Sequence, residues 1–110
     1  MDYGMWSDRT NMSMLTDFYE LTMANGYLDN DCGNTVVYFD AFFRNIPENG
    51  GYAVMAGIEQ VIDYLSNLSF SEADLEFLMK NYHFSDKFIK YLRDFSFTCD
   101  VWAIPEGTVV

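Results

Sequence analysis

Apolar positions between Asp17 and Leu28 recur at helical spacing, with Phe18, Leu21, Ala24 and Leu28 on one face and Tyr19, Met23 and Tyr27 opposite. The pattern predicts that structure begins near Leu15 and that a helix opening at Asp17 runs to about Leu28. One face should lie on a core, and the other should meet a second layer, a ligand or another subunit. Asp17, with Glu20 three residues on, has the spacing of a capping box. From Thr35 to Arg44 the chain is β-branched and aromatic, which predicts a strand. Val37, Phe39, Ala41 and Phe43 form a wholly apolar face, while Tyr38, Asp40, Phe42 and Arg44 form an amphipathic one that could look into a site. A loop with Pro47, Gly50 and Gly51 precedes a short strand over 52–56, and Gly57 leads into a helix carrying Ile58, Val61, Ile62 and Leu65. Ser71 with Asp74 opens a helix bearing Leu75, Leu78 and Met79, and Ser85 opens another bearing Phe88, Ile89, Leu92 and Phe95. Both are expected to pack on the sheet. A closing strand over 98–104 turns at Pro105, Glu106 and Gly107 into a β-branched run from Thr108.

Residues 1–12 have no period, so the organisation is read as a loose lead-in over 1–14 and an α+β domain over 15–110. With 110 residues, half of them apolar and 18% aromatic, the chain can bury one core but not two. Its aromatic content exceeds what so small a unit hides, which predicts surface reserved for further chain or a partner. The run from Thr108 is interrupted at Val110, so the domain is expected to be truncated.

A net charge of -11 is spread along every segment, making duplex nucleic acid and anionic membrane poor partners. No apolar run approaches the roughly 20 residues of a membrane span, and the start lacks a signal-peptide layout; a cytoplasmic location is the default. Cys32 and Cys99 lie far apart without Cys or His neighbours and are read as free thiols, with no metal site expected. His83, the only histidine, is read as a loop residue. Two assignments stay open on pattern alone: Tyr19 as a half-exposed surface tyrosine or a contact residue, and Asp40 and Arg44 as solvated strand residues or site residues. Physics by itself ends at a soluble acidic α+β domain.

The string Leu15-Thr16-Asp17-Phe18-Tyr19-Glu20-Leu21-Thr22-Met23 resembles the opening motif of the nicotinate phosphoribosyltransferases. Phe39-Asp40-Ala41-Phe42-Phe43-Arg44 resembles the family's following strand. Gly51-Tyr52-Ala53-Val54-Met55-Ala56-Gly57 and Asp100-Val101-Trp102-Ala103-Ile104-Pro105-Glu106-Gly107 resemble its next strand and its Pro-Glu-Gly turn. The four matches run in order from Leu15 to Val110. The resemblance implies the open-faced sheet packed with helices that forms the N-terminal domain of a type II phosphoribosyltransferase, here without the α/β barrel. It implies a parent enzyme of NAD salvage that joins nicotinate to phosphoribosyl pyrophosphate with coupled ATP hydrolysis, uses Mg2+, and places its site between head-to-tail subunits of a homodimer.

Carried over by residue, Tyr19 matches the aromatic that stacks on the pyridine across the dimer. Asp17 matches the acid beside it, with a helix-capping part as well, and Arg44 matches the arginine on phosphate or pyrophosphate oxygens. The family's phosphorylated histidine lies in the barrel, and His83 does not match it. No catalytic residue is assigned within these 110 residues, so the chain alone is expected to be inert and to bind no cofactor. Against this stand a self-contained module that holds a small anion or a protein through the Tyr19 and Arg44 surfaces, and a purely structural domain. A nicotinamide phosphoribosyltransferase relative is a third alternative; the match through Leu21-Thr22-Met23 and the Phe-Phe-Arg ending favours nicotinate.

Overall fold

The strongest local signals in the chain start its central helices. The Ser71 hydroxyl accepts the Asp74 amide at 3.1 Å, while the Asp74 carboxylate accepts the Ser71 amide at 2.8 Å, a reciprocal capping box. In the computed structural model, which describes residues 11–110, helix α3 (Glu72–Asn81) follows from that box. Helix α4 (Asp86–Arg93) starts where the Ser85 hydroxyl accepts the Phe88 amide at 3.1 Å. The two helices bury their stripes against each other: Leu75 and Leu78 from α3, and Phe88, Ile89 and Leu92 from α4. The Arg93 guanidinium donates to the Glu72 carboxylate at 2.9 Å and ties the end of α4 to the start of α3.

Helix α1 (Phe18–Asp29) lies on α4, with Leu21, Ala24 and Leu28 against this core. The predicted inner face is therefore the packed one. Its C-terminal end is pinned by polar contacts: the Ser85 amide donates to Asn25 Oδ1 at 3.0 Å, the Ser85 hydroxyl to Asp29 Oδ1 at 2.8 Å, and Lys87 Nζ to the Leu28 carbonyl at 3.1 Å. Lysine at the carbonyl end of a helix also complements its dipole. Residues 1–10 of the expected lead-in lie outside the described residues. From Asn11 onward the chain is tied down: Asn11 Nδ2 donates to the Ser69 carbonyl at 2.7 Å, and the Ser69 amide donates to the buried Ser13 hydroxyl at 3.0 Å. Met14 packs on the core beside α1.

The expected sheet is not present among the described residues. Among the described residues, 35–44 and 98–104 carry no ladder, and pairing is confined to one antiparallel bridge, Val54 with Val109. Ala53 exchanges hydrogen bonds with Val110 at 2.9 and 2.8 Å, and the Met55 amide donates to Thr108 at 2.8 Å. Side chains of the unpaired segments face solvent; Phe39 is 91% and Trp102 is 95% exposed. The physical reason is that β-propensity is local whereas a ladder needs a second backbone of complementary register. Helices α3 and α4, expected to lie on that sheet, pack on each other instead, and α4 also packs on α1. Helix α2 (Ile58–Ser66) has its start as predicted but buries none of its residues fully. The accessible surface of 9310 Å² exceeds the about 6,300 Å² expected of a closed monomer of this mass. Much of the apolar sequence is thus uncovered.

Candidate functional site

The first turn of α1 carries Asp17 and Tyr19. Asp17 occupies the N-cap position with extended backbone (φ -68°, ψ 138°), but its carboxylate accepts no amide, so the capping box expected with Glu20 does not form. This end of α1 is exposed, and water can satisfy the free amides in place of a side chain. The Asp17 carboxylate is left uncommitted beside the helix start, where negative charge is favoured by the dipole. Tyr19, 56% exposed, stands with Met23 and Tyr27 on the outer side of α1. The adjacent Glu20 carboxylate, and after it the charge of Asp17, raise the pKa of its phenol above the ordinary tyrosine value. The ring is therefore neutral at physiological pH.

On the opposite side of the same turn, Phe18 leans on the loop between α3 and α4. Its ring lies 4.4 Å from that of Tyr82 and 6.0 Å from that of Phe84, and Phe84 in turn sits 5.3 Å from the buried Phe88. Tyr82 is fixed from behind, because its amide donates to the Leu78 carbonyl at 3.0 Å. The turn is thus attached to the core through an aromatic relay.

Arg44 ends the unpaired 35–44 segment and is exposed. Lys87 pairs with Asp31 at 3.7 Å, Lys90 with Asp94 at 3.9 Å and Arg93 with Glu72 at 2.9 Å. Among the described residues no acid pairs with Arg44, in a chain of net charge -11. Nor does any hydrogen bond or ion pair among them join Arg44 to Asp17 or Tyr19. The chain brings two of the three predicted residues onto one turn and leaves the third on a separate segment. An exposed neutral ring and an unpaired planar cation are suited to holding a flat or phosphorylated anion. They include no nucleophile and base in mutual contact.

Glu106 has a role that sequence reading missed. Pro105 to Thr108 closes a turn, with the Thr108 amide on the Pro105 carbonyl at 3.1 Å and Gly107 at φ 81°, where glycine is favoured. The turn aims the Glu106 carboxylate at the start of α2, where it accepts the Gly57 amide at 2.9 Å and the Ile58 amide at 3.1 Å. Gly57, at φ 100°, offers no capping side chain of its own, so an acid 49 residues away does that work. The one signal in the sequence was a helix beginning after glycine with no Ser, Thr, Asp or Asn to cap it.

A cleft of about 370 Å³ runs along α2, lined mainly by Ile58, Val61, Ile62, Leu65, Val101 and Ala103. None of Asp17, Tyr19 and Arg44 lines it, and its apolar wall suits packing rather than an anion. Cys32 and Cys99 are free and exposed, and His83 is exposed in the loop after α3. Among the described residues, no three His, Cys, Asp or Glu side chains gather so that they could hold a metal ion. No helix among them is long and apolar enough to cross a membrane.

Residues 14–110 match the sequence model of the nicotinate phosphoribosyltransferase (NAPRTase) N-terminal domain. The chain is 42% identical over 98 residues to the nicotinate phosphoribosyltransferase pncB2 of Mycobacterium tuberculosis, covering 89% of this chain and 21% of that one. It is 37% identical over 110 residues to a nicotinate phosphoribosyltransferase of Bacillus subtilis, covering 100% and 22%. The human protein of that name is 32% identical over 101 residues, covering 87% and 18%. The chain thus spans about a fifth of the length of these relatives. With a match that runs from Met14 through the α1 turn to Val110, the chain belongs to the nicotinate phosphoribosyltransferase N-terminal domain family.

Proposed function

We propose that this domain supplies substrate-holding residues to an enzyme that condenses nicotinate with phosphoribosyl pyrophosphate, giving nicotinate mononucleotide and pyrophosphate. The observation that carries the reading is the α1 turn, whose outward side presents Tyr19 while its inward side is held on the core. Tyr19 offers a neutral π face to the flat pyridine ring, and Asp17 orients polar groups beside it. Arg44, lacking an acidic partner among the described residues, takes phosphate or pyrophosphate oxygens through its fixed donors. As the bond from the anomeric carbon to pyrophosphate breaks, negative charge grows on the leaving oxygens, and a guanidinium aimed there favours the transition state.

On this reading the full-length protein is a cytoplasmic head-to-tail homodimer, with Tyr19 reaching the neighbouring subunit's site. Its 35–44 and 98–104 segments become strands of an open sheet, covering side chains that are exposed here. On this reading magnesium and ATP serve the full-length enzyme rather than this domain alone. The test is product formation by the full-length protein supplied with phosphoribosyl pyrophosphate and either nicotinate or nicotinamide, with and without ATP. Nicotinate mononucleotide as the main product, raised by ATP, is the expected result. A preference for nicotinamide moves the protein to the related amide-using enzymes, and no product with either base from a folded protein overturns the proposal.

A further inference from the structure

The α1 turn has an unusual means of support. No side chain caps it, and none of the residues of α1 is fully buried. Polar contacts hold the far end of the helix, at Asn25, Leu28 and Asp29. At the near end the Phe18 ring rests on Tyr82 at 4.4 Å, and Tyr82 is braced by its backbone bond to Leu78 and by the edge of the Phe77 ring at 6.1 Å. Phe18 and Tyr19 are consecutive on the helix, about 100° apart, so a rotation or fraying that frees one ring redirects the other.

We propose that Tyr82 is a positioning residue for the pyridine substrate: by stacking on Phe18 it fixes the first turn of α1 and so the direction in which Tyr19 is presented. This rests on the reading of Tyr19 given above and adds a residue from the loop after α3 to the same site. The contact is a ring contact, so its strength resides in the aromatic face and not in the phenol oxygen. Tyr82 touches no substrate in this scheme; it acts through Phe18.

The test is steady-state kinetics of the full-length enzyme with Tyr82→Ala, Tyr82→Phe, Tyr19→Ala and the Tyr19→Ala/Tyr82→Ala pair. Tyr82→Ala is expected to raise KM for nicotinate about three- to tenfold, with kcat and KM for phosphoribosyl pyrophosphate changed by less than about twofold. Tyr82→Phe is expected to restore the parent KM. The double variant is expected to match Tyr19→Ala alone, because a residue acting through Tyr19 has nothing to add once that ring is gone. A Tyr82→Ala effect that adds in full to that of Tyr19→Ala overturns the positioning role. An unchanged KM in Tyr82→Ala beside a raised KM in Tyr19→Ala also overturns it, and leaves the reading of Tyr19 intact. If Tyr19→Ala itself changes nothing, the reading beneath the proposal has failed, and the two failures are distinguishable. Should Tyr82→Ala not fold, Tyr82→Leu and Phe18→Leu, which keep apolar volume and lose the ring contact, are judged by the same criteria.

Discussion

At the scale of single residues, the features that matter most are carboxylates whose work depends on where the chain carries them. Asp17 with Glu20 had the sequence of a cap and does not serve as one, whereas Glu106, read only as a turn residue, caps α2 across 49 residues. Spacing along a chain reports what a side chain can reach locally, not which distant amide it will meet. Glu106→Ala should cost about 0.5–2 kcal/mol, the range for losing an N-cap, and equilibrium denaturation of the 110-residue chain will measure it. The Tyr19 phenol provides a second test. Carboxylates beside it favour the protonated form, so it loses its proton at a pH above the ordinary tyrosine value. Glu20→Gln removes the nearest of these carboxylate charges, and should lower that titration in the ultraviolet difference spectrum against Tyr19→Phe. An unchanged titration would mean that Glu20 does not govern the ring.

Among the elements, helices were legible and strands were not, for one physical reason. The capping box of Ser71 and Asp74 and the cap at Ser85 operate within three residues, and the stripes of α3 and α4 repeat within single helices. A strand is completed only by another backbone, so the β-branched run from Thr35 to Arg44 signalled a tendency that finds no ladder among the described residues, where pairing is confined to the Val54–Val109 bridge. The contrast predicts where stability resides. Leu75→Ala or Phe88→Ala, at fully buried sites, should destabilise the chain by about 2–5 kcal/mol. Val37→Ala or Phe39→Ala, at exposed sites, should change it by less than about 0.5 kcal/mol. Amide exchange should agree, with slow exchange in α3 and α4 and near open-chain rates over 35–44 and 98–104. Strong protection of those two segments in the isolated chain would contradict the unpaired description.

For the whole molecule, the surplus of exposed aromatic surface and the span of about a fifth of the relatives' length point the same way. On the proposed reading Tyr19 and Arg44 hold substrates, and no nucleophile and base are in mutual contact among the described residues, so the 110-residue chain alone should form no nicotinate mononucleotide. Of the candidate site, the sequence made legible that Asp17 and Tyr19 share one helix turn. The position of Arg44 relative to them was not legible, because the 35–44 segment that carries it pairs with no strand among the described residues. The most direct test of the account is a comparison of KM values in the full-length enzyme with Tyr19→Ala and Arg44→Ala. If the two residues hold different substrates, Tyr19→Ala raises KM for nicotinate and Arg44→Ala raises KM for phosphoribosyl pyrophosphate, each about tenfold or more, the equivalent of about 1.4 kcal/mol. Parent values for both substrates in both folded variants would contradict it and leave this domain a structural role alone.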